Sequence, residues 1–366
     1  MSSQISLAAK GQFKVISTKK KDQKAEVGNM SDSFLLISHD EAVRIVDEAM
    51  DTARQEIPKG AVADYIPELG KGDPEKLGIC IYPLEGEKIK AGDCEDRFTM
   101  QSISKIFSLC IALELLGPGK VFEKIGAEPS GEAFNSLVEL DLNSNKPYNP
   151  LINSGAIAVA GMLIEEVTFH DMQIFARELC DDDGIALNHA VYDSEMATCS
   201  RNRAIAYLLE SKGIIDTDVE DALRFYTKMC SLEANAESLA TFANRLANDG
   251  VGNRSGKRYL SAETVRIVKT LMLTCGMYDG SGTYAVEVGI PTKSGVGGGL
   301  MAVSNNRAGI GVFGPALDKK GNSIAGCRLL KEISNRLHLS LFYNTSFMSA
   351  APKDYSLNEF KQSNES

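Results

Sequence analysis

The spacing of apolar residues along the first hundred positions predicts one helix followed by a β-hairpin. Ser38 and Glu41 have the spacing of a helix cap, and apolar residues at positions 42, 43, 45, 46, 49 and 50 fall on one helical face. This helix is predicted to end near residue 56, just before a Pro-Lys-Gly sequence. Two short apolar runs, 78–82 and 88–91, flank a turn and predict the hairpin.

The pattern is mostly helical from residue 102 to about 277, and strand-like runs return only near residue 300. The predicted helices of this central stretch include 171–180, 202–211, 219–230, 236–247 and 262–273. The later elements are two predicted strands, 300–303 and 307–313, and a closing helix at 325–337. Helix and strands at both ends of a helical middle predict an α/β (α+β) fold in which the two ends of the chain build one lobe.

This pattern also predicts domain boundaries. We expect an α/β lobe from about 37–100 and 290–345, interrupted by an inserted all-helical lobe at about 101–289. The polar residues 1–36 are predicted to form a flexible extension, and 346–366 a disordered tail. The active cleft should lie between the two lobes.

A glycine-rich run at 309–314 has the letters of a dinucleotide-binding fingerprint. That fingerprint must follow a strand and open a helix, whereas Pro315 follows this run directly. We therefore interpret these glycines as part of a strand that lies close to another backbone.

Ser102 and Lys105 are the first residues whose spacing suggests chemistry. In a helix, positions three apart lie on one face, so the Lys105 amine could remove the proton of the Ser102 hydroxyl. An amine acts as a base only when neutral, which requires a lowered pKa. The run 106–116 is apolar on nearly every face and ends at a Gly-Pro-Gly sequence, so burial of Lys105 would supply that shift.

Composition narrows the class of partner. The chain has 366 residues, 43% of them hydrophobic, which is enough to bury a sizeable core. Its formal charge of −10 argues against nucleic acid as a partner, because binding to phosphates depends on Lys and Arg. We predict a small-molecule partner.

Cysteine, histidine and hydropathy patterns add three expectations. The 8 cysteines are scattered without a C-x-x-C pair, which predicts reduced thiols. The 4 histidines lack ligand spacing, so no metal site is predicted. The sequence shows neither an apolar run long enough to cross a bilayer nor a signal peptide, so we expect no membrane association and a cytoplasmic location.

A second segment, 293–299, could support an acyl-transfer serine. Lys293 and Ser294 supply a cation and a hydroxyl, and the glycines that follow allow backbone N–H groups to approach a substrate oxygen closely. Together with Ser102-x-x-Lys105, this segment matches the three-part plan of penicillin-recognising serine enzymes.

From about residue 40 to 343 the chain resembles the serine-dependent glutaminases, a family with a β-lactamase-like fold. The stretches that carry the resemblance are 62–67, 98–105, 148–157, 201–202, 225–226, 275–279 and 293–299. The resemblance implies an antiparallel sheet flanked by helices. It also implies hydrolysis of L-glutamine to L-glutamate and ammonia through a Ser102 acyl-enzyme, with Lys105 as base, no cofactor, and a homo-oligomer, either a dimer or a tetramer.

Further site residues follow from the resemblance. Tyr226 and Tyr278 match the family's active-site tyrosines, and the glutamine-binding positions fall on Ser102, Asn153, Glu195, Asn202, Tyr226, Tyr278 and Val296. Our hypothesis is that Glu195 pairs with the substrate ammonium, while amides and tyrosine hydroxyls bind its carboxylate. The backbone N–H groups of Ser102 and Val296 would form the oxyanion hole. Either Tyr278 or Lys105 could protonate the departing ammonia.

Two alternatives remain open at this point. The first is a β-lactam- or peptide-acting acyl-serine enzyme that uses the same serine and lysine. The second is a catalytically silent relative that binds an amino acid and regulates a partner.

Overall fold

The computed structural model describes residues 37–130 and 146–343, together with the backbone of two short paired strands, Leu7–Ala8 (β1) and Gln12–Phe13 (β2). The predicted flexible extension therefore lies outside the described residues apart from these two strands. The predicted tail, 346–366, lies wholly outside them.

An antiparallel five-stranded sheet joins segments from both ends of the chain. The remaining strands are β3 (Gly78–Pro83), β4 (Ile89–Gly92), β5 (Phe98–Thr99), β6 (Glu233–Ala234), β7 (Thr292–Ser294), β8 (Gly299–Ser304) and β9 (Ala308–Phe313). The sheet has the order β4-β3-β9-β8-β7, and β5 pairs separately with β6. The predicted hairpin is β3–β4, and the predicted late strands are β8 and β9. The α/β fold with an antiparallel sheet is thus confirmed.

The helices of the described chain follow the predicted periodicity closely. They are α1 (His39–Arg54), α2 (Ser104–Lys124), α3 (Asn153–Leu163), α4 (Phe169–Cys180), α5 (His189–Thr198), α6 (Ser200–Ser211), α7 (Val219–Cys230), α8 (Ala236–Ala247), α9 (Ala262–Cys275), α10 (Ser281–Glu287) and α11 (Ile324–Arg336). Ser38 caps α1 by accepting a hydrogen bond from the Glu41 N–H. Within the described residues, no helix is long and apolar enough to cross a bilayer.

Helices cover both faces of the sheet. Helices α1 and α11 pack on one face around a core that includes Ile45, Leu329 and Ile333. Helix α8 packs on the other face, against β3, β8 and β9. Its approach requires glycine in β9, because a Cβ at Gly309 or Gly311 would collide with the α8 backbone. This confirms the strand interpretation of the glycine-rich run.

A second core surrounds α2, α3 and α7 and adjoins the sheet at β8 and β9. Helix α2 is buried over most of its first three turns and is interrupted at Gly117, whose φ of 77° is left-handed. A further helical segment then runs to Lys124, so the chain resumes a helix beyond the predicted stop. Helix α8, which falls within the predicted helical lobe, packs on the sheet. The lobe boundaries remain a prediction.

Candidate active site

Ser102 lies in a single 3₁₀ turn, Gln101–Ile103, between β5 and the start of α2. The residue before it, Gln101, has a left-handed φ of 48° that costs a non-glycine residue energy. Two hydrogen bonds hold this turn: the Met100 N–H donates to the Leu232 carbonyl, and the Ser104 hydroxyl donates to the Gln101 carbonyl. The serine is therefore presented by a strained but anchored turn rather than by the helix itself.

Lys105 lies in the first turn of α2 and is only 2% exposed. Its Nζ donates to Oδ1 of Asn153 over 2.7 Å and to the Leu151 carbonyl over 3.3 Å. Burial lowers the pKa of Lys105 to about 8, while the nearby Cys230 and Glu195 oppose that shift. A substantial fraction of this amine is consequently neutral near pH 8.

Tyr278 is a close neighbour of Ser102. It opens the 3₁₀ turn Tyr278–Gly280 with a left-handed φ of 53°, and its hydroxyl donates to the Ser294 carbonyl over 3.1 Å. Burial raises the pKa of Tyr278 above its usual range, and the neighbouring Ser102 side chain offsets part of the rise. The side chains of Ser102 and Tyr278 thus lie beside each other.

Three helices bring together the predicted amide and tyrosine ligands. Asn153 is the first residue of α3, and its Nδ2 donates to Oδ1 of Asn202 on α6 over 2.9 Å. The Tyr226 hydroxyl, on α7, donates over 3.3 Å to the Asn153 Oδ1 that also binds Lys105. The chain therefore connects Lys105, Asn153, Asn202 and Tyr226 in one hydrogen-bonded network.

Glu195 lies on α5 and is 6% exposed. Gln101 Nε2 donates to its Oε2 over a long 3.4 Å, and within the described chain this carboxylate makes no ion pair. Burial raises the pKa of Glu195 to about 7, against the lowering effects of the Gln101 hydrogen bond and the Lys105 charge. A buried carboxylate with so few partners is suited to bind a cationic group of a ligand.

Val296 lies in the loop between β7 and β8 and packs with Ala63, Tyr278 and Leu317. Tight glycine packing brings this loop close to Ser102. A Cβ at Gly295 would press on the Met100 carbonyl. The backbone of the loop between β7 and β8 thus runs alongside the turn that carries Ser102.

Two residues near this site were not predicted from the sequence to belong to it. Tyr65 is 54% exposed yet lies within electrostatic range of Tyr278 and Glu195. Cys230 is buried near Lys105, and its Sγ lies 3.7 Å from the Ser104 hydroxyl oxygen. Burial raises the pKa of the Cys230 thiol to about 12, so it stays neutral. In the sequence, the only signals for these two residues are that Tyr65 lies in the matching stretch 62–67 and that Cys230 has apolar surroundings.

The described residues contain no group of three His, Cys, Asp or Glu side chains close enough to bind a metal ion. The chemistry available at the site is that of hydroxyls, an amine, a carboxylate and backbone N–H groups.

Comparison with known proteins decides the family. A profile of the family "Glutaminase" matches residues 60–342, which is most of the chain. The chain belongs to the glutaminase family. Its members are amidohydrolases, and this glutaminase has their β-lactamase-like fold. It is 48% identical over 301 residues to "Glutaminase 2" of Clostridium perfringens, a match that covers 81% of this chain and 99% of that protein.

Solved structures agree. The chain is similar to a probable glutaminase from Bacillus subtilis complexed with 6-diazo-5-oxo-L-norleucine, with a TM-score of 0.75 and 36% identity over 84% of this chain and 99% of that one. It is also similar to the covalent complex between the Bacillus subtilis glutaminase YbgJ and 5-oxo-L-norleucine, with a TM-score of 0.75 and 35% identity over 82% of this chain and 100% of that one.

Proposed function

We propose that this glutaminase hydrolyses L-glutamine by two-step acyl transfer at Ser102. The observation that carries the proposal is the position of the Ser102 side chain beside Tyr278, in a buried site that also contains the Lys105 amine. Ser102 Oγ forms a bond to the carboxamide carbon, and the C–N bond then breaks to release ammonia. Water next attacks the γ-glutamyl ester, which releases L-glutamate and restores the serine hydroxyl.

Lys105 acts as the base in this scheme. Its lowered pKa of about 8 provides a neutral amine at mildly alkaline pH. The proton taken from Ser102 returns to the departing nitrogen through Lys105 or Tyr278, since amine and phenol belong to one coupled network. The backbone N–H groups of Ser102 and Val296 donate to the oxyanion.

The substrate is a free amino acid rather than a peptide. Glu195, buried and without an ion-pair partner among the described residues, pairs with the α-ammonium group. The amides of Asn153 and Asn202 and the Tyr226 hydroxyl bind the α-carboxylate. A peptide glutamine lacks both charges and would leave these buried groups unpaired.

Covalent labelling tests the proposal. The Bacillus subtilis relative forms a covalent complex on reaction with 6-diazo-5-oxo-L-norleucine. We expect intact-mass spectrometry to show one adduct on the present chain, located at Ser102. Ser102→Ala should lose both the adduct and ammonia release, while Ser108→Ala, which removes a nearby hydroxyl in α2, should keep both. An adduct at another side chain, or ammonia release by Ser102→Ala, would refute the role of Ser102.

The same assays separate the alternatives. Turnover of nitrocefin without ammonia release from glutamine would support a β-lactam-acting enzyme. Glutamine binding by the wild-type chain without turnover would support a silent regulator.

The cysteines and the exposed apolar side chains bear on the cellular location and the oligomeric state of the enzyme. We propose a cytoplasmic enzyme, supported by 8 cysteines that are all free and mostly buried, as expected of a reducing compartment. We also propose a homo-oligomer, a dimer or tetramer, because apolar side chains such as Val286 and Phe342 are exposed. Light scattering of the full chain would measure its mass, and a monomer would contradict the assembly.

A further inference from the structure

Lys293 is a buried amine that the proposed mechanism does not use. It lies in β7 and is 0% exposed. Its Nζ donates to the Ser294 carbonyl over 2.6 Å and to the Gly276 carbonyl over 3.2 Å. Among the described residues it forms no ion pair. Burying an amine costs free energy, which its hydrogen bonds only partly offset. The buried position of Lys293 therefore calls for a structural or functional reason.

Both carbonyls belong to the support of Tyr278. The Ser294 carbonyl also accepts the Tyr278 hydroxyl, over 3.1 Å. Gly276 precedes Tyr278 by two residues, and its carbonyl also accepts the Ser294 N–H over 3.1 Å. The Lys293 Nζ itself lies 4.5 Å from the centre of the Tyr278 ring. The Lys293 amine therefore lies against the Tyr278 ring, and it binds both the carbonyl that accepts the Tyr278 hydroxyl and the turn that precedes Tyr278.

Tyr278 needs such support because its own backbone is strained. Its φ of 53° is left-handed, a conformation that persists in a non-glycine residue only when the surroundings hold it. The turn before it is packed tightly, since a Cβ at Gly276 would collide with the carbonyls of Thr292 and Met272. Without an amine at position 293, the Gly276 and Ser294 carbonyls would each lose one of two hydrogen-bond donors and would no longer share the Lys293 amine.

We propose that Lys293 is a positioning residue, which holds the Tyr278 hydroxyl beside Ser102 by binding the carbonyls of Gly276 and Ser294. The inference rests on the proposed roles of Ser102 and Tyr278. Burial lowers the pKa of Lys293 well below its usual value, and the Lys105 charge adds to the shift. An amine carries at least two N–H donors in either protonation state, which matches the two carbonyls. Lys293 acts through these hydrogen bonds.

The first test replaces the amine with an apolar side chain of similar length. Lys293→Met should keep KM for glutamine within about twofold and lower kcat about a hundredfold, the scale expected when a reacting group is misplaced by about an ångström. The substrate ligands Glu195 and Asn202 lie on other elements, which is why KM should hold. Lys269→Met is the matched control, because Lys269 is a partly buried lysine that donates to Asn305 away from the site, and it should keep wild-type kinetics.

A double-mutant cycle shows whether Lys293 acts through Tyr278. In a Tyr278→Phe background, Lys293→Met should lower kcat by less than about twofold, since the group it positions is gone. Additive losses, or a Lys293→Met variant with wild-type kcat, would overturn the proposal. If Lys293→Met fails to fold, Lys293→Leu, which also lacks an N–H donor, takes its place in the same cycle with the same criteria. Ammonia release by the wild-type chain and its loss in Ser102→Ala test the proposed function separately, so the two failures are distinguishable.

Discussion

The Lys105 amine donates to Oδ1 of Asn153 over 2.7 Å. This bond joins the proposed base to a residue 48 positions away and fixes the direction in which the amine points. Because the acceptor is an uncharged amide, it orients the amine without the charge stabilisation that a carboxylate would give. The lowered pKa of Lys105 is compatible with this partner.

Asn153→Asp changes the charge of that partner while keeping its shape. A carboxylate at this position should raise the pKa of Lys105 by about one to three units, so less neutral amine is present at pH 8. We expect the acid limb of the kcat/KM profile for glutamine to move to higher pH by the same amount. Asn305→Asp, which alters the partner of Lys269 instead, should leave the profile in place. An unshifted limb in Asn153→Asp would contradict the role of Lys105 as base.

The wild-type enzyme should be activated as the pH rises. In the proposed mechanism, Glu195, with a pKa of about 7, must be ionised to bind the substrate ammonium, and Lys105, with a pKa of about 8, must be neutral to act as base. Both requirements are met by loss of a proton, so kcat/KM should increase from about pH 6 to about pH 8.5. Steady-state ammonia release across this range measures it; a profile that falls over the same interval would rule out these assignments.

Glu195→Gln should weaken glutamine binding and, at the same time, stabilise the fold. Losing the charge that we propose pairs with the ammonium should raise KM for glutamine by about a hundredfold, the scale of a buried charge-assisted hydrogen bond. The same change should raise the melting temperature at pH 8. Because burial raises the pKa of Glu195 from 4.5 to about 7, ionisation destabilises the fold increasingly as pH rises from 4.5 to 7, and fully above 7.

At pH 4, where Glu195 is protonated in both states, the stability advantage of Glu195→Gln should vanish. Glu210→Gln, on the exposed face of α6, should alter neither KM nor melting temperature. Unchanged kinetics in Glu195→Gln would remove this residue from the substrate site.

Two glycine substitutions test the packing of the sheet. Gly311→Ala should lower the free energy of unfolding by about 1–3 kcal/mol, because its Cβ would collide with the Ala236 carbonyl of α8. Gly282→Ala places the same Cβ in open space within α10 and should raise the free energy of unfolding by about 0.5–1 kcal/mol. Urea denaturation compares the two; equal effects would mean that α8 does not lie against β9 as described.

The local elements followed from the sequence because periodicity is a local property. The predicted helices at 219–230 and 236–247 coincide with α7 and α8, and the predicted hairpin coincides with β3 and β4. The apolar run after Lys105 also indicated that this amine would be buried, since a helix apolar on every face has no side for water. Order and spacing of motifs then indicated the family.

Tertiary structure decided which partners these residues meet. Periodicity shows that α8 has a buried face, but only the packed chain shows that this face meets the glycines of β9. The spacing in the sequence pairs Lys105 with Ser102, whereas in the folded chain the Lys105 amine donates to Asn153 and the Ser102 side chain lies beside Tyr278. Such hydrogen bonds join residues far apart in the chain, and they depend on helix packing and on strained turns that no local pattern specifies.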